Sequence, residues 1–320
     1  MARFARAFGP HAPEATYIEH GYEERLFDTG EVLLNHAVAG DPAKPALLLI
    51  PGQTESWWGY EAAMAPLAEH FHVHAVDLRG QGRSSRTAGR YTLDNMGNDL
   101  VRFIDGVIGR PMIVAGLSSG GVLSAWLSAY ARAGQIVGAY YEDPPLFASE
   151  VRPATGQGVR QSIGPIFALM AKYLGDQWSI GDWDGMVAAA PDELPEWMMM
   201  IVAAFGFGDE PTQSLKEYDP EWGRAFWTGT VSEGCDHERM LSSVKVPVLF
   251  THHFHMVDEA TGVLMGASSD VQVARVRQLV EGAGNPFELI SLPTAMHSYH
   301  GQDPAAYADI LSTWAASLPR

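Results

Sequence analysis

Short apolar runs bounded by turn residues recur along the chain and alternate with stretches of helical period. The runs are Val32–Val38, Leu47–Ile50, Val73–Val76, Met112–Ala115, Val137–Tyr141, Val248–Thr251 and Glu288–Ser291. Between them lie Tyr60–Glu69, Leu93–Ile108, Ser119–Ala131, Val271–Ala283 and Pro304–Leu318, whose apolar residues repeat every three to four positions. Several of the runs lack the in-out alternation of a half-exposed strand, as strands covered on both faces do. Strand, helix, strand in that order predicts an α/β fold with a mostly parallel central sheet flanked by helices.

The alternation breaks between Pro144 and about Ser243. There Trp178, Trp183, Trp197, Trp222 and Trp227 and the triple Met198-Met199-Met200 are set among glycines and prolines. This segment reads as an inserted, mainly helical cap whose aromatic and methionine side chains suit both a core and the wall of an apolar pocket. The expected organisation is an exposed arm over 1–20, core over 21–143, cap over 144–243 and core again over 244–320.

With 320 residues the chain is long enough for one large domain with an insertion or for two domains of ordinary size, and no repeat, low-complexity tract or linker separates two halves. Its 21 basic and 38 acidic side chains give a net charge of −17. That charge repels phosphate backbones and anionic lipid, so neither nucleic acid nor a membrane is an expected partner. One cysteine, Cys235, permits no internal disulfide and fits a reducing cytoplasm. Residues 1–10 carry two arginines without the apolar core of a secretory signal, and no stretch approaches the roughly 20 apolar residues of a membrane span.

Chemistry concentrates at Gly116-Leu117-Ser118-Ser119-Gly120, between the apolar run Pro111–Ala115 and the amphipathic run Val122–Tyr130. Gly-x-Ser-x-Gly at a strand-to-helix turn is the pattern of a nucleophile elbow, and Ser118 is the candidate nucleophile. A serine hydroxyl needs a base, and the base a carboxylate. His297 follows the last apolar run and precedes the closing helix, which is where that base is expected; His300 is the fallback. Two carboxylates compete for the third place. Glu142 leaves a strand tip directly, 24 positions after Ser118, with Asp143 beside it; Asp258 lies seven residues past Thr251. Glu142 is the preferred choice. The developing oxyanion needs two donors, expected from the backbone NH groups of Ser119 and of Gln53 in the loop Ile50-Pro51-Gly52-Gln53-Thr54. The cluster His252-His253-Phe254-His255 has the composition of a metal site. Neighbouring residues of an extended run point to opposite faces, however, and no cysteine or spaced carboxylate completes it, so no metal and no cofactor is expected.

These residues resemble a known family. Phe71–Ser84, which contains Val76-Asp77-Leu78-Arg79-Gly80-Gln81-Gly82, together with the elbow and Met296-His297, is similar to the α/β-hydrolase superfamily over nearly the whole chain. Within it the chain resembles the zearalenone lactonases, especially their actinobacterial branch. The resemblance rests on Ser56-Trp57-Trp58, Asn98–Phe103, Leu174–Trp183, Leu215–Phe226 and Leu264–Asp270. It implies a serine, glutamate and histidine triad, matched by Ser118, Glu142 (with Pro144 following) and His297. It also implies a cap tryptophan facing the lactone, matched by Trp222 in Tyr218-Asp219-Pro220-Glu221-Trp222, where an aspartate is inserted. Trp183, Gly52 and Pro144 complete the expected substrate-facing set. The expected activity is opening of the zearalenone lactone; the freed dihydroxybenzoate would then lose carbon dioxide unaided. The longer arm and Pro51-Gly52-Gln53 depart from the fungal members, and a homo-oligomer is plausible from the family. The alternatives are a carboxylesterase or carbon-carbon bond hydrolase for another aromatic, and a ligand-binding protein that retains the triad. Dehalogenase and epoxide-hydrolase chemistries use a carboxylate where this chain has Ser118.

Overall fold

A computed structural model describes residues 18–175, 181–199, 210–259 and 262–319. The arm through residue 17, Trp178 and Met200 lie outside the described residues. Eight strands form one sheet in the order β1-β2-β4-β3-β5-β6-β7-β10. They are β1 (Glu24–Asp28), β2 (Leu33–Ala39), β3 (Ala46–Ile50), β4 (His72–Val76), β5 (Met112–Leu117), β6 (Ile136–Glu142), β7 (Val248–His252) and β10 (Phe287–Ser291). β2 runs antiparallel to both β1 and β4, and every pairing from β4 through β10 is parallel. A short antiparallel hairpin, β8 (Met256–Val257) with β9 (Leu264–Met265), stands apart.

Each apolar run read from the sequence is a strand. β3 shows why the runs lack alternation, since all five of its residues are buried. Leu47 and Leu49 face one apolar cluster, with Tyr60 from the turn Trp57–Tyr60 and Leu67, Tyr307 and Trp314 from the helices Glu61–Ala68 and Pro304–Ser317. Leu48 and Ile50 face the other, with Leu100, Leu123 and Trp126 from Leu93–Phe103 and Ser119–Tyr130. Helices thus cover both faces, as a parallel sheet requires. Their starts carry local signals: the Thr92 hydroxyl accepts from the Asn95 NH, and Ser269 and Gln272 form a reciprocal cap.

Between β6 and β7 the described residues form only helices and turns. These include Gly164–Tyr173, Trp183–Glu193, Gln213–Lys216, Glu221–Thr228 and His237–Leu241. β1 went unread because its residues are half-buried or exposed and no apolar run marks them. No helix among the described residues is long and apolar enough to cross a membrane.

Candidate active site

β5 delivers Ser118 to the tip of the sheet. Its φ of 54° lies in the left-handed region, an uncommon conformation for a residue with a side chain. Two contacts hold the turn. The Ser118 NH donates to the Glu142 carbonyl at 2.9 Å, and the Ser118 carbonyl accepts from the Val122 NH at 3.0 Å. Ser119 is the first residue of the helix, so its NH is among the donors that have no intrahelical acceptor. That places a free donor at the positive end of the helix dipole, one residue from the candidate nucleophile.

The loop after β3 lies directly beside Ser118. A side-chain carbon built on Gly52 would sit 3.4 Å from Ser118 Cβ and 3.3 Å from Leu117, so the glycine allows this close approach. The Gln81 amide donates to the Gly52 carbonyl at 2.7 Å, the Glu55 NH donates to the same carbonyl at 3.3 Å, and Thr54 turns the chain with φ 64°. The Gln53 side chain reaches the Tyr218 hydroxyl at 2.5 Å.

His297 and its acid partner follow strands on the other side of β5 from β3, Asp143 after β6 and His297 after β10. Its Nδ1 donates to Asp143 Oδ2 at 2.7 Å. Glu142, the expected partner, is instead wholly buried under a different histidine. It accepts from His300 Nδ1 at 2.8 Å and from the backbone NH groups of Tyr299 and His300 at 2.9 and 3.0 Å. The carboxylate that meets His297 is therefore Asp143 and not the expected Glu142. Strand geometry explains the exchange: consecutive side chains leave opposite faces, and at the tip of β6 the backbone of Asp143 also turns left-handed with φ 40°. His300 is a support for the loop that carries His297, stacked on Tyr60 with ring centroids 3.8 Å apart. Asp258 sits at the hairpin turn, its NH on the Val263 carbonyl at 2.9 Å.

Burial pushes the Asp143 carboxyl up, but its hydrogen bond to His297 and the positive charge of His297 and His253 bring it below the ordinary carboxylate value. Burial likewise pushes His297 down, while the hydrogen bond to Asp143 and the charges of Asp143, Glu55 and Glu142 raise it above its ordinary 6.5. His253 braces both partners. Its NH donates to Asp143 Oδ1 at 3.2 Å, and its Nδ1 lies 2.9 and 3.0 Å from the carbonyls of Met296 and His297. Sequence reasoning missed this role because it read His253 only as part of a histidine cluster.

The helix Glu221–Thr228 packs against the loop after β3. A side-chain carbon on Gly223 would lie 2.9 Å from the Tyr218 hydroxyl and 3.2 Å from the Gln53 amide. The preceding residues are bolted to the core: Tyr91 and Arg86 both reach Asp219 Oδ2, at 2.6 and 2.9 Å, and Ser56 and Trp58 reach Glu217 at 2.6 and 2.9 Å. Trp222 is fully buried, and its indole NH has no hydrogen-bond partner among the described residues. Pro144 packs on the first turn of the elbow helix against Gly121, and its carbonyl accepts from Ser268 at 2.7 Å. Trp183 is buried in the apolar packing at the start of its helix. Cys235 is buried beside Met240, and burial pushes its thiol up to about 12, which makes it a poor nucleophile.

A model of the alpha/beta hydrolase family matches residues 47–310. Epoxide hydrolase A of Mycobacterium tuberculosis is 31% identical over 303 residues, covering 82% of this chain and 91% of that protein. The 3-oxoadipate enol-lactonase 2 of Acinetobacter baylyi is 31% identical over 100 residues, and the chain spans only 37% of its length. Among solved structures, the enol-lactonase from Burkholderia xenovorans superposes with a TM-score of 0.65 at 19% identity, over 92% of this chain and 100% of that one. With the elbow, the sheet order and this match over most of its length, the chain belongs to the alpha/beta hydrolase family.

Proposed function

We propose that the chain is a cofactor-independent serine hydrolase of the cytoplasm that opens the macrocyclic lactone of zearalenone, with residues 144–243 as the cap over the site. His297 takes the proton of the Ser118 hydroxyl as Oγ attacks the ester carbonyl. The NH groups of Ser119 and Gln53 receive the negative charge that develops on the carbonyl oxygen. As the intermediate collapses, the ring C–O bond breaks and His297 returns the proton to the departing alkoxide oxygen. Water, deprotonated by His297, then attacks the Ser118 ester and releases the hydroxy acid. Asp143 holds the His297 tautomer throughout.

The observation that carries the reading is Trp222. It is a buried indole whose NH lacks a partner among the described residues, on the helix packed against the loop beside Ser118. A buried donor left unpaired is costly, and a ligand oxygen would satisfy it. The hydroxyl nucleophile also favours ester cleavage over epoxide opening, despite the epoxide-hydrolase relative.

The test is a time course with zearalenone followed by chromatography and mass spectrometry. Wild type should yield the ring-opened acid or its decarboxylated product, and Ser118→Ala should lose about four to six orders of magnitude. Trp222→Phe, which keeps the ring packing and removes the NH, should lower kcat/KM about tenfold. Intact zearalenone beside hydrolysis of simple aryl esters would select an esterase of another substrate. A stable adduct after slow single turnover would select a binding protein.

A further inference from the structure

β7 ends at His252, and the chain then folds back so that the His255 ring stacks on the His252 ring, centroids 3.7 Å apart and 14° from parallel. In each ring one nitrogen is committed to a backbone carbonyl: His252 Nε2 to Ser268 O at 2.8 Å, and His255 Nδ1 to His253 O at 2.8 Å. A carbonyl oxygen only accepts, so those two nitrogens carry the hydrogens. The neutral rings therefore present bare lone pairs at His252 Nδ1 and His255 Nε2. Both face the same carboxylate oxygen, Asp270 Oδ1, at 3.7 and 3.0 Å. All three atoms lie within 4.8 Å of one another.

With both rings neutral, three acceptors are gathered with no donor between them, and either a proton on His255 or a shared cation removes their repulsion. Histidines locked into a ligating tautomer by a carbonyl on the far nitrogen are the usual outer-shell arrangement of protein metal sites. Ligands at zinc distances in tetrahedral geometry lie about 3.4 Å apart, and the two separations from Asp270 fall on either side of that value; the stacked rings must splay apart for both lone pairs to meet one ion. The setting also provides a buried wall and an open approach: the side chains of His252, His255 and Asp270 are 3%, 18% and 83% exposed. Sequence spacing does not reveal the site, because the carboxylate comes from the start of the helix Asp270–Gly282, fifteen residues past His255.

We propose that His252, His255 and Asp270 form a divalent-cation site, with two nitrogen ligands and one oxygen, suited to zinc and its borderline neighbours cobalt and nickel. Its role is structural. His253 stands between the two histidine ligands and carries the contacts to Asp143 and to the carbonyls of Met296 and His297, so an ion here would stiffen the edge that positions the catalytic pair.

The test uses tag-free, chelator-treated full-length protein titrated with Zn²⁺ by calorimetry and melted with and without the metal. Expected are one saturable site per chain and a rise in melting temperature of about 5 °C at a hundredfold excess over Kd. His255→Ala should abolish both, and Asp270→Asn, which alters one exposed ligand and leaves the fold intact, should weaken binding at least tenfold. Visible absorption from Co²⁺ lost in the same variants would report the ligand set directly, without reference to activity. No saturable binding would overturn the proposal and leave a proton shared between His255 and Asp270. Binding of equal strength in His255→Ala would overturn it as an adventitious ion only.

Discussion

At the level of single residues, the proposed mechanism sets a base that works only when neutral beside a carboxylate that favours its charged form. His297 is raised above 6.5 by Asp143, so the fraction of competent base grows as pH climbs through that raised value. The acid limb of kcat/KM should lie above pH 6.5, and Asp143→Asn should move it down while lowering the plateau about a thousandfold to ten-thousandfold, because the tautomer is no longer held. A pH–rate profile of both proteins checks this. Glu142→Ala should behave differently. It strips two backbone NH groups and His300 of a buried acceptor and should cost about 3 kcal/mol or more in denaturant unfolding. If Glu142→Ala matched Asp143→Asn in the pH–rate profile at unchanged stability, the assignment of the triad acid would be reversed. Which of two adjacent carboxylates meets His297 was not legible in the sequence. It depends on where β6 stops and on the left-handed turn at Asp143, a difference of one residue that flips the side chain to the other face.

At the scale of elements, the elbow works because three chain segments touch. A methyl group on Gly116 would strike the Gly120 carbonyl, and one on Gly120 would strike the Ile50 and Pro51 carbonyls. The glycines let the helix Ser119–Tyr130 start against β5 and the loop after β3, which brings Ser118, the Ser119 NH and Gly52 together. Gly120→Ala should therefore cost about 3 kcal/mol and reduce activity at least a hundredfold even at temperatures where the protein stays folded, measured by urea unfolding and ester turnover side by side. The elements themselves were legible because strands covered on both faces must be continuously apolar and their covering helices must repeat every three to four residues. β1, half-exposed at the sheet edge, and the β8–β9 hairpin, with two residues to a strand, were not, since no apolar run betrays them. Ser118, His297 and the loop at Gly52 were legible from their order between such elements; the anchoring of Asp219 and Glu217 to the core was not, because it joins residues far apart in the chain.

Across the whole molecule, three histidines outside the candidate site are buried in their neutral form. His36 and His74, from neighbouring strands β2 and β4, are lowered by burial to about 4 and about 3, and His237, at the start of the helix His237–Leu241, to about 4. His237 shows the reason in its contacts: Nδ1 accepts from the Phe147 NH at 2.9 Å, and Nε2 is buried without a partner among the described residues. In the unfolded chain these rings take up protons near pH 6.5, whereas the folded protein resists until about pH 4 or below. Between those values the unfolded state binds more protons, so stability falls as pH falls, beginning near 6.5 and levelling once the folded values are passed. Each ring should contribute a loss of about 3 kcal/mol by pH 4, partly offset by the buried Asp77 and Glu150 carboxyls, which burial raises to about 8 and about 7, and read in the urea midpoint from pH 7 to 4. His237→Asn keeps an acceptor for Phe147 and removes one titrating ring, so its midpoint should fall less steeply over the same range. An unchanged slope in that variant would assign acid sensitivity to the carboxylates instead. Loss of neutral His297 starts higher, so activity should fade from above pH 6.5 and stability below it, for separable reasons. Asp143→Asn moves the catalytic limb and leaves the His237 contribution in place, while His237→Asn does the reverse.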